Sequence, residues 1–225
     1  MVNHMHNKAF RAADHANDGK KHLLVAATGS VATIKIPSIV ESLSRHNDIS
    51  IRILLTQSAK EFLQGQSDEQ PPLEALRNVR NVEDIYCDKD DWTTPWKRGD
   101  PILHIELRRW ANLLLIAPLS ANSLAKMSIG MADNLLLSVV RAWDTLGTID
   151  GKKKSVLVAC AMNTAMWRHP VTRKQLSALE DWNGENPWIE LLYPVEKTLA
   201  CGDTGDGAMR EWSEIVTIVE ERLAL

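Results

Sequence analysis

HLLVAATGSVATIKIPSIVESLSR, residues 22–45, is the stretch that decides the fold. Its first part, HLLVAAT (22–28), is a continuous apolar run without polar alternation, the pattern of a strand buried on both faces. The run ends on Thr28-Gly29-Ser30, a small turn, and residues 34–45 then set Ile36, Ile39, Val40 and Leu43 on one helical face. Strand, tight turn and helix in that order form the repeating unit of a parallel sheet. Further strands are read outward from it at 49–56 (ISIRILLT), 112–118 (NLLLIAP), 155–161 (SVLVACA) and 188–194 (WIELLYP). Helices are read at 58–64, in the blocks SANSLAKM and DNLLLSVVRAWD, at 170–182 behind Pro170, and at 211–225. Residues 65–82, with Pro71-Pro72, and 91–101, rich in Trp, Pro and Gly, read as irregular surface stretches. The expected fold is therefore α/β, a doubly wound parallel sheet of Rossmann-like or flavodoxin-like type, in one domain over residues 22–225. Residues 1–21 carry no apolar run and read as a mobile tail rather than a secretion signal.

The composition excludes more than it identifies. The chain has 225 residues, 44% of them hydrophobic and 24% charged, the usage of an ordinary globular protein. A net charge of −3 gives no basic field for nucleic acid or anionic lipid. No apolar stretch is long enough for a membrane helix. Cys87, Cys160 and Cys201 are odd in number, far apart and without CxxC spacing. That favours a reducing, cytoplasmic setting over a disulfide framework, and no metal site is expected. His4 and His6 in the polar tail read as solvated.

In a doubly wound sheet, ligands bind where loops leave the carboxyl ends of the strands. Thr28-Gly29-Ser30-Val31 offers backbone N–H groups and a hydroxyl to a phosphate, although Ser30 as a helix cap accounts for it equally well. Ser120-Ala121-Asn122-Ser123 carries more polar groups than a cap needs, which favours a flavin or nucleotide phosphate. His104, in LHIELRRW, reads as structural, paired with Glu106 or exposed; its H-x-E lacks the P-C-x-x-C half of a zinc deaminase. Arg108 and Arg109 read either as solvated or as phosphate ligands. Asn163 follows a strand directly, where an amide can fix a polar ligand group. Three glycines in the six residues 202–207 suggest a mobile flap, with Cys201 as an accessible thiol. No GxSxG, HExxH or Walker lysine motif is present, which argues against hydrolases and NTPases.

Taken in order, TGSVA, HIELRRWA, APLSANSLAK, DNLL…RAWD, AMNTAMW and LACGDTGDGAM resemble the homo-oligomeric flavin-containing cysteine decarboxylases. The resemblance runs from about residue 22 to about residue 210. It implies FMN as cofactor, held by Gly29, Ser30, Val31, Ser58, Ser120, Ala121, Asn122, Ser123 and Ala161. It further implies His104 and Cys201 as catalytic residues and Asn163 and Met166 as substrate-binding residues. The implied assembly is a homotrimer with active sites at subunit interfaces. The implied activity is decarboxylation of phosphopantothenoylcysteine to phosphopantetheine in coenzyme A biosynthesis: thiol oxidation creates a C=S group that accepts the electrons released with CO2. Relatives of other kinds include regulatory subunits that bind a protein phosphatase, often with an acidic tail, and members of mixed trimers. The mixed-charge end at Leu225 and the coexistence of His104, Asn163 and Cys201 favour a self-sufficient enzyme. Flavin prenyltransferases share the fold but are expected to lack the MNxxMW element and the flap cysteine. Two departures stand out: Cys160 replaces the family's usual Pro, and Ile129-Gly130 replaces Gly-Gly, which is expected to alter packing near the flavin.

Overall fold

A computed structural model describes residues 10–92, 95–182, 184, 187–198 and 204–225. The strands are β1 (Lys21–Ala27), β2 (Ile49–Leu55), β3 (Val82–Cys87), β4 (Leu113–Leu119), β5 (Ser155–Cys160), β6 (Ile189–Leu192), β7 (Val195–Thr198) and β8 (Thr204–Ala208). The helices are α1 (Ile36–Leu43), α2 (Gln57–Lys60), α3 (Leu73–Arg77), α4 (Leu103–Trp110), α5 (Ala121–Ser128), α6 (Leu135–Arg141), α7 (Thr164–Arg168), α8 (Pro170–Asp181) and α9 (Trp212–Leu223). Six strands form one parallel sheet in the order β3-β2-β1-β4-β5-β6, and β7 and β8 form a separate antiparallel hairpin. This is the doubly wound α/β architecture expected from the apolar runs.

Why the runs lack alternation is plain from their two faces. Along β1, Leu23, Val25 and Ala27 enter a core layer with α1 and α9, while Leu24 and Ala26 enter a second layer with α4, α5, α6 and α8. Each residue is covered whichever way it points, so every position of β2 and β4 is buried. A Leu or Ile buried to this degree contributes about 1.5–3 kcal/mol. The order reverses between β1 and β4, so their outgoing loops diverge and leave a crevice between them.

Two elements go beyond the sequence reading, and one reading changes. Residues 82–87, from the end of the stretch read as irregular at 65–82 onward and given no element in the sequence reading, form the edge strand β3. LHIELRRW is a helix, α4, with Leu107 and Trp110 in the second core layer. The segment read as a mobile tail is packed from Phe10 onward, because Phe10 lies 4.1 Å from the Arg52 guanidinium and edge-on to Trp110.

Candidate functional site

The crevice is built mainly from small residues at strand ends. Thr28, just after β1, donates through Oγ1 to Pro118 O (3.0 Å) and accepts from Ser120 N–H (2.7 Å), which locks the β1 and β4 loops together. Gly29 meets the start of α2: a Cβ there would stand 2.6 Å from Ser58 Cβ, so only glycine permits this approach. Ser120 caps α5 by accepting from Ser123 N–H (3.3 Å), and Thr56 caps α2 by accepting from Ala59 N–H (3.3 Å). Ser30 precedes a 3₁₀ turn without a side-chain capping bond, so the capping reading of that hydroxyl does not hold. Gly29, Ser58, Asp88, Ser120, Asn122 and Ser123 are among the residues lining the resulting cleft of about 260 Å³. Asp88 Oδ2 accepts from Gln57 N–H (3.1 Å), while Oδ1 is buried with no hydrogen-bond partner. Ala161, just beyond β5, does not line the cleft; its N–H donates to Leu119 O (3.0 Å) at the end of β4.

His104 sits in the first turn of α4 and does not line this cleft. Its partner is Asp91 rather than Glu106. Nδ1 lies 2.8 Å from Asp91 Oδ2 and 3.1 Å from Oδ1, and the same carboxylate accepts from His104 backbone N–H (3.3 Å). Glu106 is occupied elsewhere, by Ala12 N–H and the Arg109 guanidinium (both 2.8 Å). Arg108 is buried against Asp150 (2.9 Å), and Lys154 joins the same carboxylate (3.0 Å), so Arg108 is a structural cation. Asp91 was invisible in sequence; the acidic run DKDDW (88–92) was its one local signal.

Asn163 follows β5 and caps α7, its side chain accepting from Met166 N–H (2.8 Å) and leaving its NH2 donors available. Met166 projects outward, 51% exposed. The glycines expected to confer mobility have a different role. A Cβ on Gly205 would stand 1.8 Å from Thr164 Oγ1, and one on Gly207 would stand 2.1 Å from Met162 O. Met162 N–H donates to Gly207 O (3.0 Å), so β8 lies flush on the Asn163 loop. Arg168 pairs with Asp206 (3.1 Å) to hold the same edge. Cys201, in the β7–β8 connection, lies outside the described residues.

The other thiols are poor reagents. Cys160 is 1% exposed and burial pushes its thiol up to about 12. Burial also raises the Cys87 thiol. Ile129-Gly130 lies not on the cleft but on a second hollow of about 650 Å³, beside Trp143, Trp182 and Trp188. Among the described residues no helix is long and apolar enough to cross a membrane, and no His, Cys, Asp or Glu cluster could hold a metal.

The Flavoprotein family model matches residues 11–224, and the chain belongs to that family. Within it, mouse phosphopantothenoylcysteine decarboxylase is 39% identical over 213 residues, covering 95% of this chain and 92% of the relative. A Schizosaccharomyces pombe protein described as a probable thymidylate synthase is 46% identical over 208 residues, 92% of this chain and 30% of its own. The chain spans about a third of the length of the first curated relatives it matches, 30%, 34% and 37% of them. Among solved structures, a PPC decarboxylase mutant complexed with pantothenoylaminoethenethiol is 40% identical with a TM-score of 0.75, covering 92% of this chain and 100% of the other. The FMN binding protein AtHal3 is 41% identical with a TM-score of 0.71, covering 90% and 96%.

Proposed function

We propose that this chain is an FMN-dependent carboxy-lyase that converts phosphopantothenoylcysteine to phosphopantetheine in coenzyme A biosynthesis. The observation that carries the reading is the docking of the β7–β8 hairpin, whose connection contains Cys201, onto the Asn163 loop beside the switch-point crevice. That arrangement belongs with the family resemblance and with the 39% identity to the mouse decarboxylase.

The residues present fit FMN. The N-terminus of α5 suits a phosphate, the Gly29–Ser58 approach makes a narrow cradle, and Asp88 Oδ1 is an orphaned acceptor beside it. Gly29, Ser30, Val31, Ser58, Ser120, Ala121, Asn122, Ser123 and Ala161 would hold the cofactor. FMN, when bound, supplies the reversible two-electron oxidation of the substrate thiol. The NH2 of Asn163 binds a polar group at the substrate's carboxylated end, and exposed Met166 covers its apolar atoms. His104 accepts a proton at Nε2, and Cys201 returns one late in the cycle. His104 stands away from the cleft, Met166 is half exposed, and Ile129 is 74% exposed. These features support a homotrimer whose neighbouring subunits complete each site. Free thiols at Cys87 and Cys160 support a cytoplasmic setting.

The test is direct. Purified FMN-loaded protein is incubated with phosphopantothenoylcysteine and phosphopantetheine is followed. His104→Asn is expected to lower kcat by about 10²–10⁴, the usual worth of a general base, while its flavin absorbance is retained. No product from flavin-loaded wild type overturns the enzyme reading and favours a regulatory flavin-binding subunit, with a protein phosphatase as partner. Loss of flavin from His104→Asn makes that residue structural.

A further inference from the structure

We propose that Asp91 is a positioning residue that fixes the tautomer and aim of His104; this rests on the catalytic reading of His104. The geometry leaves the imidazole little choice. The Asp91 side chain is 4% exposed and the His104 side chain 20% exposed, with both carboxylate oxygens within 3.1 Å of Nδ1. An ionised carboxylate only accepts, so Nδ1 must carry the hydrogen. In the neutral ring the lone pair then resides on Nε2, the nitrogen on the far side from Asp91.

The carboxylate does more than pair with the ring. Oδ1 also accepts the backbone N–H of His104 (3.3 Å), in the first turn of a helix whose N-cap, Ile102, supplies no side-chain cap. One carboxylate thus sets both the start of α4 and the rotation of its second residue. Asp91 belongs to the 3₁₀ turn Asp88–Trp92, whose first residue, Asp88, lines the flavin cleft. The turn therefore links the cleft wall to the base, with Asp88 and Asp91 on one short element.

The substitution that isolates this role is Asp91→Asn, which keeps the shape and an acceptor for the His104 N–H. Its amide can also donate to Nδ1, allowing the hydrogen to move to Nε2, where it blocks the base. The expected result is a kcat lower by roughly 10²–10⁴ with KM little changed and FMN fully bound, as in other carboxylate-oriented histidines. Asp91→Glu, which restores the carboxylate, is expected to recover most of the loss.

The independent readout is the tautomer. Long-range ¹H–¹⁵N spectra of ¹⁵N-histidine-labelled, FMN-loaded protein report which ring nitrogen carries hydrogen, and His104→Asn identifies the signal. Wild type is expected to show Nδ1–H at His104, and Asp91→Asn to show a shift toward Nε2–H. A wild-type Nε2–H signal overturns the proposal, as does Asp91→Asn turning over at the wild-type rate. A lost kcat with an unchanged tautomer also overturns it. If wild type makes no phosphopantetheine, the catalytic reading falls, while the spectra still decide what Asp91 does to the ring.

Discussion

The two ends of the central sheet both bury polar side chains, and they do so differently. At the strand starts and along the β2–β3 edge, charges answer one another. Arg108 and Lys154 share Asp150, Arg52 pairs with Glu83 and Tyr86, and His22 stacks on Trp110 while bonding Asp18. Where the strands end, the side chains are small and mostly neutral, they bond the backbone at loop starts, and open volume lies beside them. Orphaned atoms occur at both ends: Arg52 Nε and Arg108 Nε at one, Asp88 Oδ1 at the other. An orphan alone therefore does not mark a site. The mark is an orphan beside a cleft whose wall needs a glycine, Gly29.

The largest effect should come from breaking the charged end. Asp150→Ala leaves Arg108 and Lys154, each 5% exposed, without their carboxylate. Unpairing a buried charge costs about 3–5 kcal/mol, read as a lowered urea midpoint, with flavin binding per folded molecule unchanged. A midpoint equal to wild type would show that the network contributes nothing to stability. At the other end Gly29→Ala should affect both properties, with the flavin loss added to a smaller loss of stability. Its Cβ has to displace Ser58, at about 1–3 kcal/mol of overpacking, and FMN affinity is expected to fall at least tenfold. Titration by flavin fluorescence quenching checks it, and unchanged affinity would detach the Gly29 loop from the cofactor. Gly207→Ala collides with backbone at Met162 O, which cannot rotate aside. It should move the Asn163 loop and lower turnover by about tenfold or more while flavin stays bound.

The same contrast explains what could be read from the sequence. Strands β1, β2, β4 and β5 were legible because burial on both faces writes an unbroken apolar run, and their ends fell within a residue or two. Strand β3 was not, because Glu83 and Asp84 interrupt it and take partners, Arg52 and Arg77, from other elements. Helix α4 was hidden likewise: Glu106 and Arg108 are buried only because Ala12 and Asp150 come to meet them. The loops that line the cleft were legible since a turn is made from adjacent residues. Asp91 was not, since its meaning arises when α4 folds back onto it. The glycines of the hairpin were visible, but their reason was not. A missing side chain reads as freedom in one dimension and as a close approach in three.

Two smaller effects probe the charged end further. Phe10→Ala removes the ring 4.1 Å from the Arg52 guanidinium, worth about 1–2 kcal/mol in a partly desolvated setting. Thermal unfolding should register that loss, while FMN affinity and turnover stay at wild-type values. A flavin defect here would mean that the two ends are coupled.

The mildest prediction concerns acid. The Asp144 carboxylate accepts backbone N–H groups from Asp150 and Ile149 (both 2.7 Å) and Gly147 (3.0 Å), ordering the turn that carries Asp150. Those backbone bonds, that of Asp150 first, hold its carboxyl below the ordinary value of 3.8. A carboxyl depressed in the folded state stabilises it above the ordinary value, and the contribution fades as pH falls through the folded one. Asp18 behaves in the same direction, since the His22 hydrogen bond and its companions outweigh the opposing effect of burial. Asp144→Asn should therefore flatten, without abolishing, the loss of stability below about pH 4. Because Asp150 stands on this turn, the variant should also soften the Arg108–Lys154 network at neutral pH, though less than Asp150→Ala does. Acid limbs that superimpose for wild type and Asp144→Asn would show that the turn is held by its backbone alone, and that the charged end owes its order to Asp150 directly.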